Sequence, residues 1–259
     1  MVDLYEGYCL EIMPTLADKS IDMILCDLPY GTTACKWDTI IPFEPLWAQY
    51  KRLIKDNGAI VLTASQPFTS VLVTSNINNY KHGWIWNKRF AGNFVTAKYA
   101  PMKIHEDILI FCYGKIPYRP QMIKRESPII NGANKCASES AKFSQNSRLI
   151  NFKKIYTEKY PESILFYPRE RGLHPTQKPV ALFEYLIRTY TDEGDTILDN
   201  CAGSGTTGVA CINTNRNAIL IEKEAKYCDV IRNRLPVINR VSKTQPPEQL
   251  GKVDSPEGW

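Results

Sequence analysis

Ten residues, Asp199-Asn200-Cys201-Ala202-Gly203-Ser204-Gly205-Thr206-Thr207-Gly208, constrain the fold of this chain more than any other stretch. They follow a short apolar run at 196–199 and open a helical pattern that extends to about residue 212. Glycines between a strand and a helix let backbone N–H groups approach a ligand, and the helix N-terminus faces it. A strand at 218–221 and a helix at 224–235 come next. Short, wholly apolar strands suit a sheet buried on both faces, and their alternation with helices predicts a mostly parallel α/β sheet.

The same alternation governs the N-terminal part. Residues 21–26 form a second apolar run, which ends at Asp27-Leu28-Pro29-Tyr30-Gly31. The spacing of Phe43, Leu46, Trp47, Tyr50, Leu53 and Ile54 predicts a helix over 42–55 that stops near Asn57-Gly58. A strand at 59–63, a helix at 67–75 and strands at 84–86 and 108–113 are expected to follow. Residues 114–167 differ. They are rich in Pro, Asn, Ser and Lys, keep no sustained period, and read as an irregular insert outside the sheet. The regular pattern resumes with a helix at 179–190, so 1–113 and 168–240 read as two halves of one domain, with a loose tail at 241–259.

Two chemistries compete for the glycine loop. Gly203, Gly205 and Gly208 satisfy G-x-G-x-x-G, and Glu222 ends the next strand, where its carboxylate can accept both ribose hydroxyls of an adenosine. A nicotinamide dinucleotide fits that pattern. Asp199 argues otherwise, because a negative charge at the strand's end suits the ammonium of a methionine moiety better than a diphosphate. The turn at residues 27–30 adds a second requirement. An exocyclic amine on a base is a poor nucleophile, since its lone pair is delocalised into the ring. Acceptors that hold its hydrogens let the nitrogen pyramidalise: Asp27 offers a carboxylate, and the carbonyl of Leu28 a neutral acceptor. Pro29 keeps residue 28 extended, and Tyr30 offers an aromatic face to a base taken out of a duplex.

Charge points to the same class of partner. Residues 115–171 hold twelve Lys/Arg and five Glu, a balance of +7, which leaves −2 for the rest of a chain whose net charge is +5. A basic block in a mildly acidic protein suggests a polyanion. The eight cysteines form no C-x-x-C pair and the three histidines are scattered, so ordinary buried thiols and no metal site are expected. No apolar run approaches the roughly 20 residues that span a bilayer. The acidic start, Met1-Val2-Asp3-Leu4-Tyr5-Glu6, lacks a secretory pattern, so a cytoplasmic protein is expected.

These motifs together resemble the amino-methylating DNA methyltransferases, whose signature is (D/N/S)-P-P-Y and whose cofactor loop is similar to Phe-x-Gly-x-Gly. The order here, tetrapeptide first and glycine loop late, resembles the circularly permuted β group. His174-Pro175-Thr176-Gln177-Lys178-Pro179 is similar to the group's H-P-T-x-K-P element, and His105-Glu106 to another recurrent element. The resemblance implies a Rossmann-like sheet of the S-adenosylmethionine-dependent type, with 1–113 its catalytic half, 114–167 an inserted target-recognition region and 168–240 its cofactor half. It implies a catalytic set of Asp27, Leu28, Pro29 and Tyr30, and a cofactor pocket of Asp199, Ala202, Gly203, Gly205, Thr206 and Glu222, with Thr176 and Lys178 near the methionine. The expected partner is double-stranded DNA, in a bacterial or phage-encoded enzyme of restriction-modification or regulation; homodimers are common in the group. Asp at the first signature position resembles the adenine-N6 enzymes. An N4-cytosine or RNA methyltransferase, a nicotinamide-dependent oxidoreductase and a non-catalytic DNA-binding module stay open as alternatives. Three positions depart from the pattern: Leu28 replaces a proline, Asn200-Cys201 stands where an aromatic is common, and Tyr8 where an acidic residue is.

Overall fold

The computed structural model describes residues 1–32, 38–92, 94–131, 154–170, 172, 177–235, 238 and 240–243. In chain order the elements are β1 (Val2–Glu6), α1 (Cys9–Ile12), β2 (Ile21–Asp27), α2 (Phe43–Leu53), β3 (Ile54–Ala64), α3 (Phe68–Ser75), β4 (Tyr80–Asn87) and β5 (His105–Phe111). They continue with β6 (Ile123–Asn131), β7 (Lys154–Lys159), β8 (Ile164–Phe166), α4 (Val180–Tyr190), β9 (Thr196–Asp199), α5 (Thr206–Asn213), β10 (Asn217–Glu222), α6 (Ala225–Arg234) and β11 (Arg240–Lys243). Nine strands form one sheet in the order β11-β1-β10-β9-β2-β3-β5-β4-β8. Only β5 runs antiparallel to its neighbours, so the sheet is mostly parallel, as expected.

The apolar runs are apolar because both faces of the sheet are covered. Met23 and Leu25 of β2 enter one core with Leu182, Phe183, Leu186 and Ile187 of α4 and Ile231 of α6. Ile24 and Cys26 point the other way, into a core with Ile12 of α1, Leu46, Trp47, Tyr50 and Leu53 of α2, and Phe68 and Leu72 of α3. Alternation along β2 thus buries the side chains of both faces from Met23 to Cys26, not every second one. Each large aliphatic side chain so buried contributes on the order of 1.5–3 kcal/mol.

The helix expected over 42–55 ends at Leu53, and β3 begins at once with Ile54, five residues before the expected strand. Ile54 is fully buried and pairs with Ile21, after which the register shifts. Gly58 allows that irregularity: a Cβ there would lie 2.6 Å from Ile54 Cγ1 and 2.7 Å from the Asp22 carbonyl. Strands β1 and β11 were not expected; β11 pairs with β1 inside what reads as tail, and residues 244–259 lie outside the described residues.

The stretch 114–167 also departs from its irregular reading. Residues 120–162 form a separate compact unit whose described part is the antiparallel pair β6–β7, with a register shift between Lys124 and Ile129. Its isoleucines Ile123, Ile129, Ile130 and Ile155 are exposed, so no buried face imposes the alternation by which a strand is recognised. β8 lies within the same stretch but joins the main sheet beside β4. No helix among the described residues is long and apolar enough to cross a membrane.

Candidate active site

Strand order places the two motifs side by side. From β2 the chain moves outward through β3 to β4 and β5, and from β9 outward through β10, so adjacent β2 and β9 form a switch point where ligands collect at the carboxyl ends of strands. A cavity of about 840 Å³ opens there. It is lined by Asp27, Leu28, Pro29 and Tyr30 after β2, by Asp199, Ala202, Gly203 and Thr206 after β9, and by Glu222 at the end of β10. Lys178 lines it as well, whereas Thr176 lies outside the described residues.

Asp27 is held by three donors. Lys178 Nζ donates to Oδ2 at 2.5 Å, the Tyr30 hydroxyl to Oδ1 at 2.8 Å, and the Thr63 hydroxyl to the same oxygen. A carboxylate has about four lone-pair sites, so among the described residues these three donors leave one for a further donor. Burial, and then the Asp27 and Glu106 carboxylates, raise the Tyr30 phenol well above its ordinary value, which keeps it a donor. The Tyr30 ring stacks on Phe68 with centroids 5.1 Å apart. Gly31 and Thr32 are pinned next to it by Asp38, whose two oxygens accept their backbone N–H groups at 2.8 and 2.9 Å. Leu28, the departure from proline, packs its side chain into the core at 3% exposure.

Lys178 extends this site into a row of alternating charge. It lies 3.4 Å from Glu106 Oε2, an ion pair without hydrogen-bond geometry, and Glu106 Oε1 accepts from Lys88 Nζ at 3.1 Å. Burial pulls the Lys178 ammonium down, but Asp27 and Glu106 outweigh it and its pKa is raised. Burial pushes Glu106 up, and the two lysines more than reverse that, so it is lowered. The resemblance implies Lys178 near the methionine; it lines the cavity shared with the glycine loop, and its ammonium donates to Asp27. Glu106, Lys88 and Thr63 stand outside the two motifs, and the His105-Glu106 pair is the sequence signal that points to Glu106.

The glycine loop is built around two carboxylates. Asp199 Oδ1 accepts from the Cys201 backbone at 3.1 Å and Oδ2 from the Thr207 hydroxyl. Burial pushes its carboxyl up to about 6. Glu222, also raised by burial, accepts from the Gly203 and Glu224 backbone N–H groups at 2.8 Å each. Gly203 and Gly205 have φ of +52° and +75°, the left-handed region that favours glycine. Gly208 serves packing: a Cβ would lie 2.9 Å from Leu220 and from Leu235. Asn200, where an aromatic is common, accepts from the buried Tyr50 hydroxyl at 2.6 Å. Tyr8 and Cys9 of the first turn also line the cavity. The thiols stay protonated: hydrogen bonding to Cys201 and burial push Cys9 up, and burial pushes Cys26 up to about 12. Cys35 and Cys136 lie outside the described residues.

Comparison with known proteins gives the same picture from a different direction. The DNA methylase family model matches residues 21–233. The Type II methyltransferase M2.MboI of Moraxella bovis is 28% identical over 282 residues, covering 96% of this chain and 93% of its own length. The DNA adenine methyltransferase YhdJ of Escherichia coli is 28% identical over 274 residues, covering 96% of this chain and 86% of its own. The solved M1.HpyAVI–SAM complex shares the fold at a TM-score of 0.61 and 22% identity, over 92% of this chain and 100% of that one. The cytosine-N4-specific PvuII DNA methyltransferase does so at 0.62 and 14%, over 92% and 87%. The matched range takes in the tetrapeptide, the glycine loop and the strands that set them side by side: the chain is a member of the DNA methylase family.

Proposed function

We propose that this methyltransferase acts on adenine N6 in duplex DNA, with S-adenosylmethionine as the donor and Asp27 as the residue that holds the amine. One observation carries the reading: Asp27, fixed by three donors with a lone-pair site to spare, shares a cavity with the glycine loop and Glu222. Aspartate at the head of the tetrapeptide and the similarity to an adenine methyltransferase favour adenine over cytosine.

The residues present fit the donor. S-adenosylmethionine supplies an electrophilic methyl on a sulfonium. Asp199, a buried carboxylate raised by burial, would be relieved by the ammonium of the methionine. Glu222 keeps acceptor capacity for the ribose hydroxyls, and the left-handed turn at Gly203, which lines the cavity, would let backbone approach the ligand, while Gly205 turns the same loop without lining the cavity. Thr206, Ala202 and Thr176 complete the pocket in this reading. On the base side, Asp27 takes one amine hydrogen and the Leu28 carbonyl the other, which localises the lone pair on nitrogen; Pro29 fixes that carbonyl, and Tyr30 meets the base face. The unit at 120–162 contributes to target recognition, a role supported by the basic balance of 115–171.

The test is expression in a host free of DNA methylation, with strand-resolved mapping of modified bases. N6-methyladenine in one short sequence context is the expected result. N4-methylcytosine would move the assignment to the other amine, and unmodified DNA would remove it.

A further inference from the structure

The segment between β4 and β5 carries an apolar tip that is exposed among the described residues. Its base is laddered: Lys88 N–H donates to the Ile104 carbonyl at 2.8 Å and Gly92 N–H to the Lys103 carbonyl at 2.9 Å. Beyond it the chain turns through Phe94–Thr96, with Ala97 N–H on the Phe94 carbonyl at 3.2 Å. Phe94 is 83% exposed, Val95 92% and Tyr99 89%, the three most exposed large apolar side chains among the described residues. Met102 adds a fourth at 45%. A cluster of large apolar side chains exposed at one tip marks an interaction site.

Charge and position identify the occupant. Residues 88–104 contain Lys88, Arg89, Lys98 and Lys103 and no acidic residue, which suits a polyanion with apolar faces. The root of the hairpin is the wall of the cavity itself, since Lys88 and Gly92 line it beside Asp27 and Glu106. A base that reaches Asp27 must leave its stack, and the vacated space collapses unless something apolar fills it. We infer that the hairpin at 88–104 is a DNA wedge: Phe94, Val95 and Tyr99 enter the duplex where the target base was, while Lys98 and Arg89 contact the flanking phosphates.

This inference rests on the DNA reading above, and the experiment separates the two. The mapped site is placed in two short duplexes, one fully paired and one with an abasic position opposite the target base, where extrusion is cheap. Phe94→Ser/Tyr99→Ser is expected to methylate the paired duplex at least about tenfold more slowly than wild type and to recover to within about threefold on the abasic duplex. Phe94→Leu/Tyr99→Phe, which keeps the apolar tip, should stay near wild type on both. Lys98→Ala should weaken DNA binding and reduce the slope of log affinity against log salt by about one. Equal rates of the serine variant and wild type on the paired duplex would overturn the wedge, as would an equal loss on both duplexes. A serine variant that changes only self-association in sedimentation would assign the tip to a second copy and also overturn it. Failure of wild type on every DNA would instead overturn the parent reading.

Discussion

Lys178 Nζ lies 2.5 Å from Asp27 Oδ2, a contact between residues 151 positions apart that joins the two halves of the site. The lysine is 6% exposed at its side chain and separates two carboxylates, Asp27 and Glu106, which would otherwise face each other in a cavity wall.

Lys178→Met should therefore be costly in two measurable ways. Removing one partner of a buried pair leaves an uncompensated charge, a loss of about 3–5 kcal/mol in urea denaturation. Turnover should fall about 100-fold or more as Asp27 loses its placement, with the affinity for S-adenosylmethionine changed less than about threefold. Adding Glu106→Gln should return part of the stability, because it removes one of the two facing carboxylates; a strictly additive double variant would show that the ion pair is not coupled.

Asp27→Ala is expected to abolish methyl transfer and leave cofactor binding largely intact, since its bonds run to Lys178, Tyr30 and Thr63 and none to the glycine loop. Calorimetric titration with S-adenosylmethionine checks it. Equal loss of binding and transfer would assign Asp27 to the cofactor.

The parts of this site that sequence reveals are those that the strand ends impose locally. β2 and β9 are buried on both faces, so they read as apolar runs, and the Asp27 and Asp199 turns stand out where the apolar run stops. Glu106, Lys88 and Thr63 meet only because β5 enters antiparallel between β3 and β4, and that pairing is set across the sheet. β1, with only Val2 and Leu4 fully buried, is too short to show a period. The ribbon β6–β7 fails for the opposite reason: its isoleucines face solvent, so nothing selects alternation.

Tyr50→Phe probes the departure at Asn200. The tyrosine hydroxyl donates to Asn200 Oδ1 at 2.6 Å in a fully buried setting, in place of the aromatic contact common at that position. Losing the donor leaves the amide oxygen unsatisfied, which costs about 1–3 kcal/mol in urea denaturation. Because Asn200 leads into Cys201 and the glycine loop, cofactor affinity should fall with it. Unchanged stability and affinity would show that the pair is incidental.

Asp199 gives the pH dependence. Burial holds its carboxyl at about 6 against an ordinary 3.8, so between those values the folded chain binds the proton that the unfolded chain has released. Its ionisation therefore costs stability as pH rises through that window. Binding an ammonium has the opposite sign, because it requires the ionised form that Asp27 nearby disfavours and the Thr207 and Cys201 donors favour. Affinity for S-adenosylmethionine should be level above pH 7 and fall below about 6, approaching tenfold per pH unit. Asp199→Asn should bind weakly and lose most of that slope, and what remains belongs to Glu222, which burial also raises. Titrations from pH 5 to 8 on both proteins read the difference, and parallel profiles would place the ammonium elsewhere.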